Sequence, residues 1–316
     1  MAKRFTSEVF SLDGTAYVVD IYDADFGGSA LPFDIVYPSL KLTYIPDSKE
    51  RHAAIIGSEL TFTMQVNTGP MNTLVNDLID AKEGRFRVVL RKEGAVEWVG
   101  LILADLLSIE DKELPYQFQL KASDGLAYLK DIDYNDAGTP YTGRETIADH
   151  VANCLKKIGT YDLFTAAIFK TGISWTDFSM TTGDPWTNTR IDHRAFLSID
   201  RNGEYNYKSC YDVLKEVCTV FAASIKMAQG SFHILQLPEY ESPSFTLYGY
   251  DEDGNSVSAS GSAINALTEW SDVKRLSGGQ FQAYPSLRYV QIDYKHFSAG
   301  RSIVSPYGLG STTLLD

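Results

Sequence analysis

The sequence predicts a β-rich α+β protein: small β-barrel or sandwich domains, each with a packed helix, plus a helix-containing insertion. Three observations carry that reading. Runs rich in β-branched and aromatic residues recur through the first 125 positions, interrupted by one segment with helical spacing. The middle third carries two further helical stripes, the second leading into a hairpin pattern. From position 244 the chain returns to strand character, with turn signals at 251–254 and 277–279.

In the first region, residues 15–22 (TAYVVDIY), 40–45 (LKLTYI) and 59–66 (ELTFTMQV) read as strands. Gly69-Pro70 opens a helix, since Met71, Leu74, Val75, Leu78 and Ile79 fall on one face, and Gly84 suits its C-terminal cap. Arg85–Arg91 alternates, with Phe86, Val88 and Leu90 on one side and Arg85, Arg87 and Arg91 opposite. Lys92-Glu93-Gly94 turns that strand back through Val96, Trp98 and Ile102, and a further strand alternates through Tyr116, Phe118 and Leu120.

In the middle region, Thr142-Gly-Arg-Glu145 has capping-box spacing ahead of a stripe through Ile147, Val151, Cys154, Leu155 and Ile158, which Gly159 ends. Residues 160–208 show no clean period. A second helix starts at Ser209 with Asp212 three residues on, and 223–228 and 231–237 form a hairpin about Gln229-Gly230. The last strong strand is 287–294 (LRYVQIDY). The expected domains are 1–130, a barrel-like ring domain with one helix; 131–245, a mixed helix and hairpin insertion; and 246–316, a second β-rich domain that is short for a complete barrel.

Charge and composition exclude some functions. The 316 residues hold 28 Lys and Arg against 41 Asp and Glu, a net charge of -13. That balance disfavours sequence-independent grip on nucleic acid, which needs clustered cations, and disfavours anionic membrane surfaces. The 19 Tyr and 16 Phe suit protein–protein assembly, because Tyr offers large contact area at low entropic cost. Cys154, Cys210 and Cys218 read as reduced packing residues of a protein made in a cytoplasm. Cys210 and Cys218 share a helix about 12 Å apart at ~1.5 Å per residue, too far to bridge. The start of the chain has no apolar core of a secretory signal, and the longest apolar stretch, 99–107, contains an Asp and is too short to span a bilayer.

Motifs for chemistry are not evident. Phosphate-cradling, dinucleotide, zincin, nucleophile-elbow and paired-cysteine patterns are absent from the sequence. His52, His150, His193, His233 and His296 are scattered, with His150 expected as a solvated helix residue and His233 as a packing or edge residue. Asp131-x-Asp133-x-Asn135 starts like a calcium loop but has Asp136 and Thr142 where Gly and Glu are required, so a polar connection is expected. Asp251–Asn255 is expected to be a hairpin turn. Trp175 and Trp186 suit sugar stacking or, more simply, a core or interface. No cofactor, metal ligand or catalytic residue is assigned, and the chain reads as a non-enzyme.

Several stretches together resemble tail-tip or baseplate hub proteins of tailed bacteriophages. They are Gly57–Thr63, Phe86–Leu90 with Trp98–Gly100, Ala122–Asp133, Ser209–Leu214 leading into Ser231–Leu235, and Tyr289–Tyr294. The resemblance covers roughly 1–295 and rests on packing patterns. It implies a virion-tail structural protein made in the host bacterial cytoplasm, in which barrels close a trimeric or hexameric ring continuing the tail tube. It implies contact with other phage tail proteins, with DNA passing through the lumen unbound, and no membrane. Under it, Arg85, Arg87, Arg91 and Trp98 on the 85–103 hairpin are the expected oligomer interface. Two other readings stay open: a carbohydrate-binding or adhesin module using the aromatics of 160–208, and a glycoside or peptidoglycan hydrolase using paired carboxylates.

Overall fold

A computed structural model describes residues 1–261 apart from 12–13, 49–52, 80, 83, 105–112, 166, 175–182 and 237–245. His52, Trp175, His296, the 277–279 turn and the strand expected at 287–294 lie outside the described residues. The fold is β-rich α+β, with one large mixed sheet and four α-helices among the described residues. No helix among those residues is long and apolar enough to cross a membrane.

The first strands are β1 (Ala2–Phe10), β2 (Ala16–Asp23), the short β3 (Leu31–Pro32) and β4 (Asp34–Ile35), β5 (Lys41–Pro46) and β6 (Ile55–Val66). Helix α1 (Gly69–Ile79) follows, then β7 (Phe86–Lys92), β8 (Ala95–Ile102) and β9 (Tyr116–Ser123). These strands are joined side by side in the order β6-β9-β8-β7-β2-β1. The segment 31–35 then closes the ring: Leu31 and Pro32 pair with Phe5 and Thr6 of β1, while Asp34 and Ile35 pair with Gln65 and Met64 of β6. The result is a closed barrel without a free edge at that seam.

Alternation explains the barrel interior. Leu60, Phe62, Met64 and Val66 of β6 are fully buried, with Phe118 and Leu120 of β9 and Val88 and Leu90 of β7. Phe33, between β3 and β4, is the internal anchor of the seam. Its ring lies 6.5 Å from Phe5, edge-on, and 6.1 Å from Phe62. Helix α1 buries Met71, Leu74, Val75 and Leu78, as its spacing predicts. Gly84 is not its cap: the helix ends at Ile79, and Gly84 (φ +75°) sits in the turn that enters β7.

The middle region adds β10 (Arg144–Thr146), α2 (Ile147–Lys156), β11 (Phe169–Gly172), α3 (Pro185–Asn188), β12 (Arg190–Asp192), β13 (Leu197–Ile199) and β14 (Tyr205–Tyr207). Helix α4 (Cys210–Val220), β15 (Ala223–Ala228), β16 (Ser231–Gln236), β17 (Thr246–Tyr250) and β18 (Ser256–Gly261) complete it. Ser209 caps α4, its side chain accepting the Asp212 amide at 3.1 Å, and β15 and β16 form the expected hairpin. The capping box of α2 is corrected. It is Thr146–Asp149 rather than Thr142–Glu145, because Arg144, Glu145 and Thr146 are taken into β10 by pairing with β12.

The second half of the sheet runs β15-β16-β11-β17-β18. It is continuous with the barrel through two parallel pairs, Ile225 with Ile55 and Lys226 with Ile56. Strand β11, inside the stretch without a readable period, is central: it pairs parallel with β16 and antiparallel with β17. The described start of the 246–316 region therefore joins the sheet of the middle region; 262–316 lie outside the described residues.

Truncating Phe33 to Ala opens a cavity at the seam and is expected to cost about 3–5 kcal/mol. The check is urea unfolding followed by tryptophan fluorescence, with the exposed Tyr37→Ala as a control that shifts stability by less than about 0.5 kcal/mol.

Candidate functional site

The most concentrated set of polar and aromatic side chains lies where α2, the β10–β12 ladder and the 132–134 segment meet. Three interactions build it. Residues 144–146 pair with 190–192, so His193 follows directly after β12, with its amide bonded to the Gly143 carbonyl at 3.2 Å. The Tyr134 amide bonds to the Lys208 carbonyl at 2.9 Å, which ties that segment to the approach to α4. The α2 capping box fixes His150 on the first turns of the helix, facing inward.

The result is a box of Tyr134, His150, His193 and Phe196, all buried, with the half-buried Tyr141 against it. The His150 and His193 rings are 4.6 Å apart, and Tyr141 stacks on His193 at 5.2 Å with 26° between planes. His150 is fully buried and His193 is 1% exposed. His150 is thus no solvated helix residue, and the histidines are not all scattered: two of them meet across 43 positions of sequence.

Hydrogen bonds assign the His150 tautomer. His150 Nε2 lies 3.1 Å from the Ile191 carbonyl, which only accepts, so Nε2 carries the proton. Its Nδ1 is then the acceptor for the Tyr134 hydroxyl at 2.5 Å. Tyr134 Oη also lies 3.4 Å from His193 Nδ1. Burial holds His150 down at about 4 and pushes the Tyr134 and Tyr141 phenols above their ordinary range.

Beside the box is a cleft of about 310 Å³ lined by Tyr141, Glu145, Asp149, Asn153 and Asp253. Glu145 Oε2 is 3.2 Å from His193 Nε2 and accepts from Asn153 Nδ2 at 3.3 Å. Asp149 Oδ2 is spent on the Thr146 amide and hydroxyl at 2.9 and 2.7 Å. The turn between β17 and β18 forms the far wall. Gly254 (φ +80°) lets it approach α2, since a Cβ there would sit 2.8 Å from Asp149 Oδ1. Lys156 holds Asp253 at 2.7 Å. Among the described residues no group of three or more His, Cys, Asp or Glu is arranged to hold a metal ion.

Two other buried polar clusters hold the sheet together. Asp124, wholly buried, accepts from the Ser58 amide and hydroxyl at 2.6 and 2.7 Å and from the Leu126 amide at 3.0 Å, and burial lifts its carboxyl to about 6. Asp184 accepts from Thr171, from the Tyr250 hydroxyl at 2.5 Å and from the Trp186 amide at 3.0 Å. Trp186 itself is fully buried against Phe221, so it stands in the core and not on a sugar-binding surface. His233 is buried beneath the pairing of β16 with β15 and β11, as a packing residue; Lys226 and Lys170 flank it, and its burial leaves it neutral down to about 3.

The four residues expected at an oligomer interface occupy different environments. Arg85 pairs with the buried Asp23 at 2.9 Å, and Arg91 with the buried Asp20 at 3.1 Å. Arg87 pairs with the half-exposed Asp162 at 2.8 Å, reaching from the barrel to the middle region. Trp98 is fully buried and donates Nε1 to Ser58 Oγ at 2.8 Å, extending the Asp124 cluster. The Asp251 carboxylate is occupied by the Asp253 and Asn255 amides at 3.0 and 2.8 Å, the bonding of a hairpin turn.

No protein-family model matches the sequence, and no curated protein matches it. Among solved structures, the chain is similar to the 43 kDa tail protein of prophage MuSo2 from Shewanella oneidensis, with 14% identity and a TM-score of 0.32. The match covers 62% of this chain and 54% of that one, so the chain spans about half the length of that protein.

The contribution of His150 to stability is expected to fall as pH drops from about 6.5 toward 4. His150 titrates near 4 when folded and near its ordinary value, about 6.5, when unfolded. Between those values the unfolded chain binds a proton that the folded one refuses, so acid favours unfolding. At ~1.4 kcal/mol per unit the full effect is of order 3 kcal/mol. Asp124 works in the opposite sense: with its folded value raised to about 6, its contribution declines as pH rises from about 4 to 6. In urea melts across this range, His150→Gln should lower stability at pH 7, and its deficit against the unmutated chain should shrink toward pH 4.

Proposed function

We propose that the chain is a structural component of a bacteriophage tail tip or baseplate, a hub or distal ring protein. Its ring continues the tail tube and connects to host-recognition proteins. The observation that carries this reading is the closed barrel of 1–123 with its single packed helix, the domain type that the sequence resemblance implies for ring-forming tail proteins. In this reading 1–130 is the ring domain, 131–245 lies outside it, and 246–316 belongs to a second β-rich domain. The chain acts by shape and contact and carries no catalytic centre.

Two physical features support it. A channel that lets DNA through must not hold it, and a net charge of -13 repels a polyanion. Ring closure needs heterologous contacts between identical chains, and the surface carries exposed aromatic and aliphatic groups suited to them: Phe10, Tyr37, Tyr44, Ile199 and Tyr205.

The proposed Arg face narrows to one residue. Arg85 and Arg91 share buried carboxylates with Arg4 and Lys3, and each carboxylate would lose a charged partner if the arginine turned to a neighbour. Arg87 holds a half-exposed Asp162, a pair worth less than about 1 kcal/mol, so its guanidinium exchanges partners at little cost.

Negative-stain electron microscopy of the purified chain should show rings of threefold or sixfold symmetry; a uniformly monomeric sample at high concentration would sink the proposal. Arg87→Glu should weaken ring formation in size-exclusion chromatography with light scattering and leave the melting temperature within a few degrees. Arg85→Glu, by contrast, should destabilise the monomer itself.

A further inference from the structure

We propose that Asn202, at the tip of the β13–β14 hairpin, is a site of spontaneous deamidation, with Asp200 as the residue that sets its rate. This inference does not depend on the ring-forming reading, because it rests on the hairpin alone.

The sequence singles out the position. Asn202 is followed by Gly203, and every other asparagine in the chain precedes a residue with a side chain. A side chain on the following residue crowds the attacking backbone nitrogen and restricts the rotation that brings it to the asparagine carbonyl; glycine does neither. In the reaction the Gly203 nitrogen gives up its proton and bonds to the Asn202 side-chain carbonyl carbon. The bond from that carbon to Nδ2 breaks, ammonia leaves carrying the proton, and a cyclic imide closes. Water then opens the imide at either carbonyl, which yields aspartate or isoaspartate.

The fold exposes this pair on a weakly supported element. Residues 198–206 are exposed. Strands β13 and β14 form a two-stranded sheet of three residue pairs, separate from the large sheet. A two-stranded ribbon is marginally stable in water, so local opening costs little.

The closed turn occupies both reacting groups. The Gly203 amide donates to the Asp200 carbonyl at 3.1 Å, and Asn202 Nδ2 donates to Asp200 Oδ2 at 3.3 Å. Asp200 Oδ1 also accepts from the Asn202 and Glu204 amides, both at 2.8 Å. The nitrogen turns to the side-chain carbonyl only when these bonds let go. Asp200 therefore restrains the reaction, which proceeds from the opened hairpin.

The product does not fit the turn it came from. Isoaspartate lengthens the backbone by a methylene group and places a new carboxylate beside Asp200 and Glu204. The same turn sets Ile199, 61% exposed, opposite Tyr205, 51% exposed. Deamidation thus alters the apolar pair that the hairpin presents to solvent.

The test incubates the full chain in mildly alkaline buffer and reads its digest by mass spectrometry, with electron-transfer fragmentation to separate isoaspartate from aspartate. A urea-unfolded sample supplies the unrestrained rate. Position 202 should convert ahead of every other asparagine in the folded chain, with isoaspartate the larger product. Asp200→Ala should convert several-fold faster, with thermal melts showing that the remainder of the fold is kept. Three results would overturn the proposal: another asparagine converting first, an unchanged rate in Asp200→Ala, or no conversion at 202 in the folded chain over many times the period that the unfolded chain needs.

Discussion

The described structure depends on strand β6 being hydrogen-bonded along both edges. One edge of its twelve residues takes β5 and then β4; the other takes β15 and then β9. A backbone donor left unpaired in a core costs about 1–3 kcal/mol, so a strand buried on both edges fixes its neighbours' registers as well as its own. The barrel closes because β4 docks on β6, and the middle region is held in the same sheet because β15 docks at the other end. A one-residue slip of β6 would turn Leu60, Phe62, Met64 and Val66 out of the barrel and bring Thr61, Thr63 and Gln65 in.

What was legible in the sequence follows from how local its causes are. Strand β6 and helices α1 and α4 could be read because their alternation, stripe and cap are written within a dozen residues. The closing segment 31–35 could not, because its two-residue strands have no period and Pro32 argues against a strand. It is ordered by Phe33 packing on Phe5 and Phe62, residues far away in sequence. Strand β11 was hidden for the same reason: four residues, Phe-Lys-Thr-Gly, become central only when β16 and β17 bracket them. The capping box shows local competition. Thr142-x-x-Glu145 and Thr146-x-x-Asp149 have the same spacing, and the three-residue β10–β12 ladder decides between them.

The candidate site was the least legible part. His150 and His193 carry no joint signal in sequence, since neither spacing nor neighbours mark them. They meet through the β10–β12 ladder and through the pairing of 132–134 with the approach to α4. The one usable hint was His150 on the stripe side of α2: His150 precedes Val151 and follows Ile147 by three positions, which places it on the buried arc of an amphipathic helix.

The three polar clusters share a logic that the apolar core does not supply. Hydrophobic packing tolerates exchange of similar side chains, whereas a buried carboxylate or imidazole accepts one arrangement of donors. Asp124 ties β9's end to β6 through Ser58, and Trp98 joins β8 to the same atoms. Asp184 ties α3 to β11 and β17 through Thr171 and Tyr250. Each joins segments whose apolar contacts alone leave the register loosely specified. The box around Tyr134 follows the same rule: the Ile191 carbonyl, His150 and Tyr134 form one chain of hydrogen bonds, and His193, 3.2 Å from Glu145, stands at its end. It joins α2 to the segments carrying Tyr134 and His193, which come from separate parts of the chain.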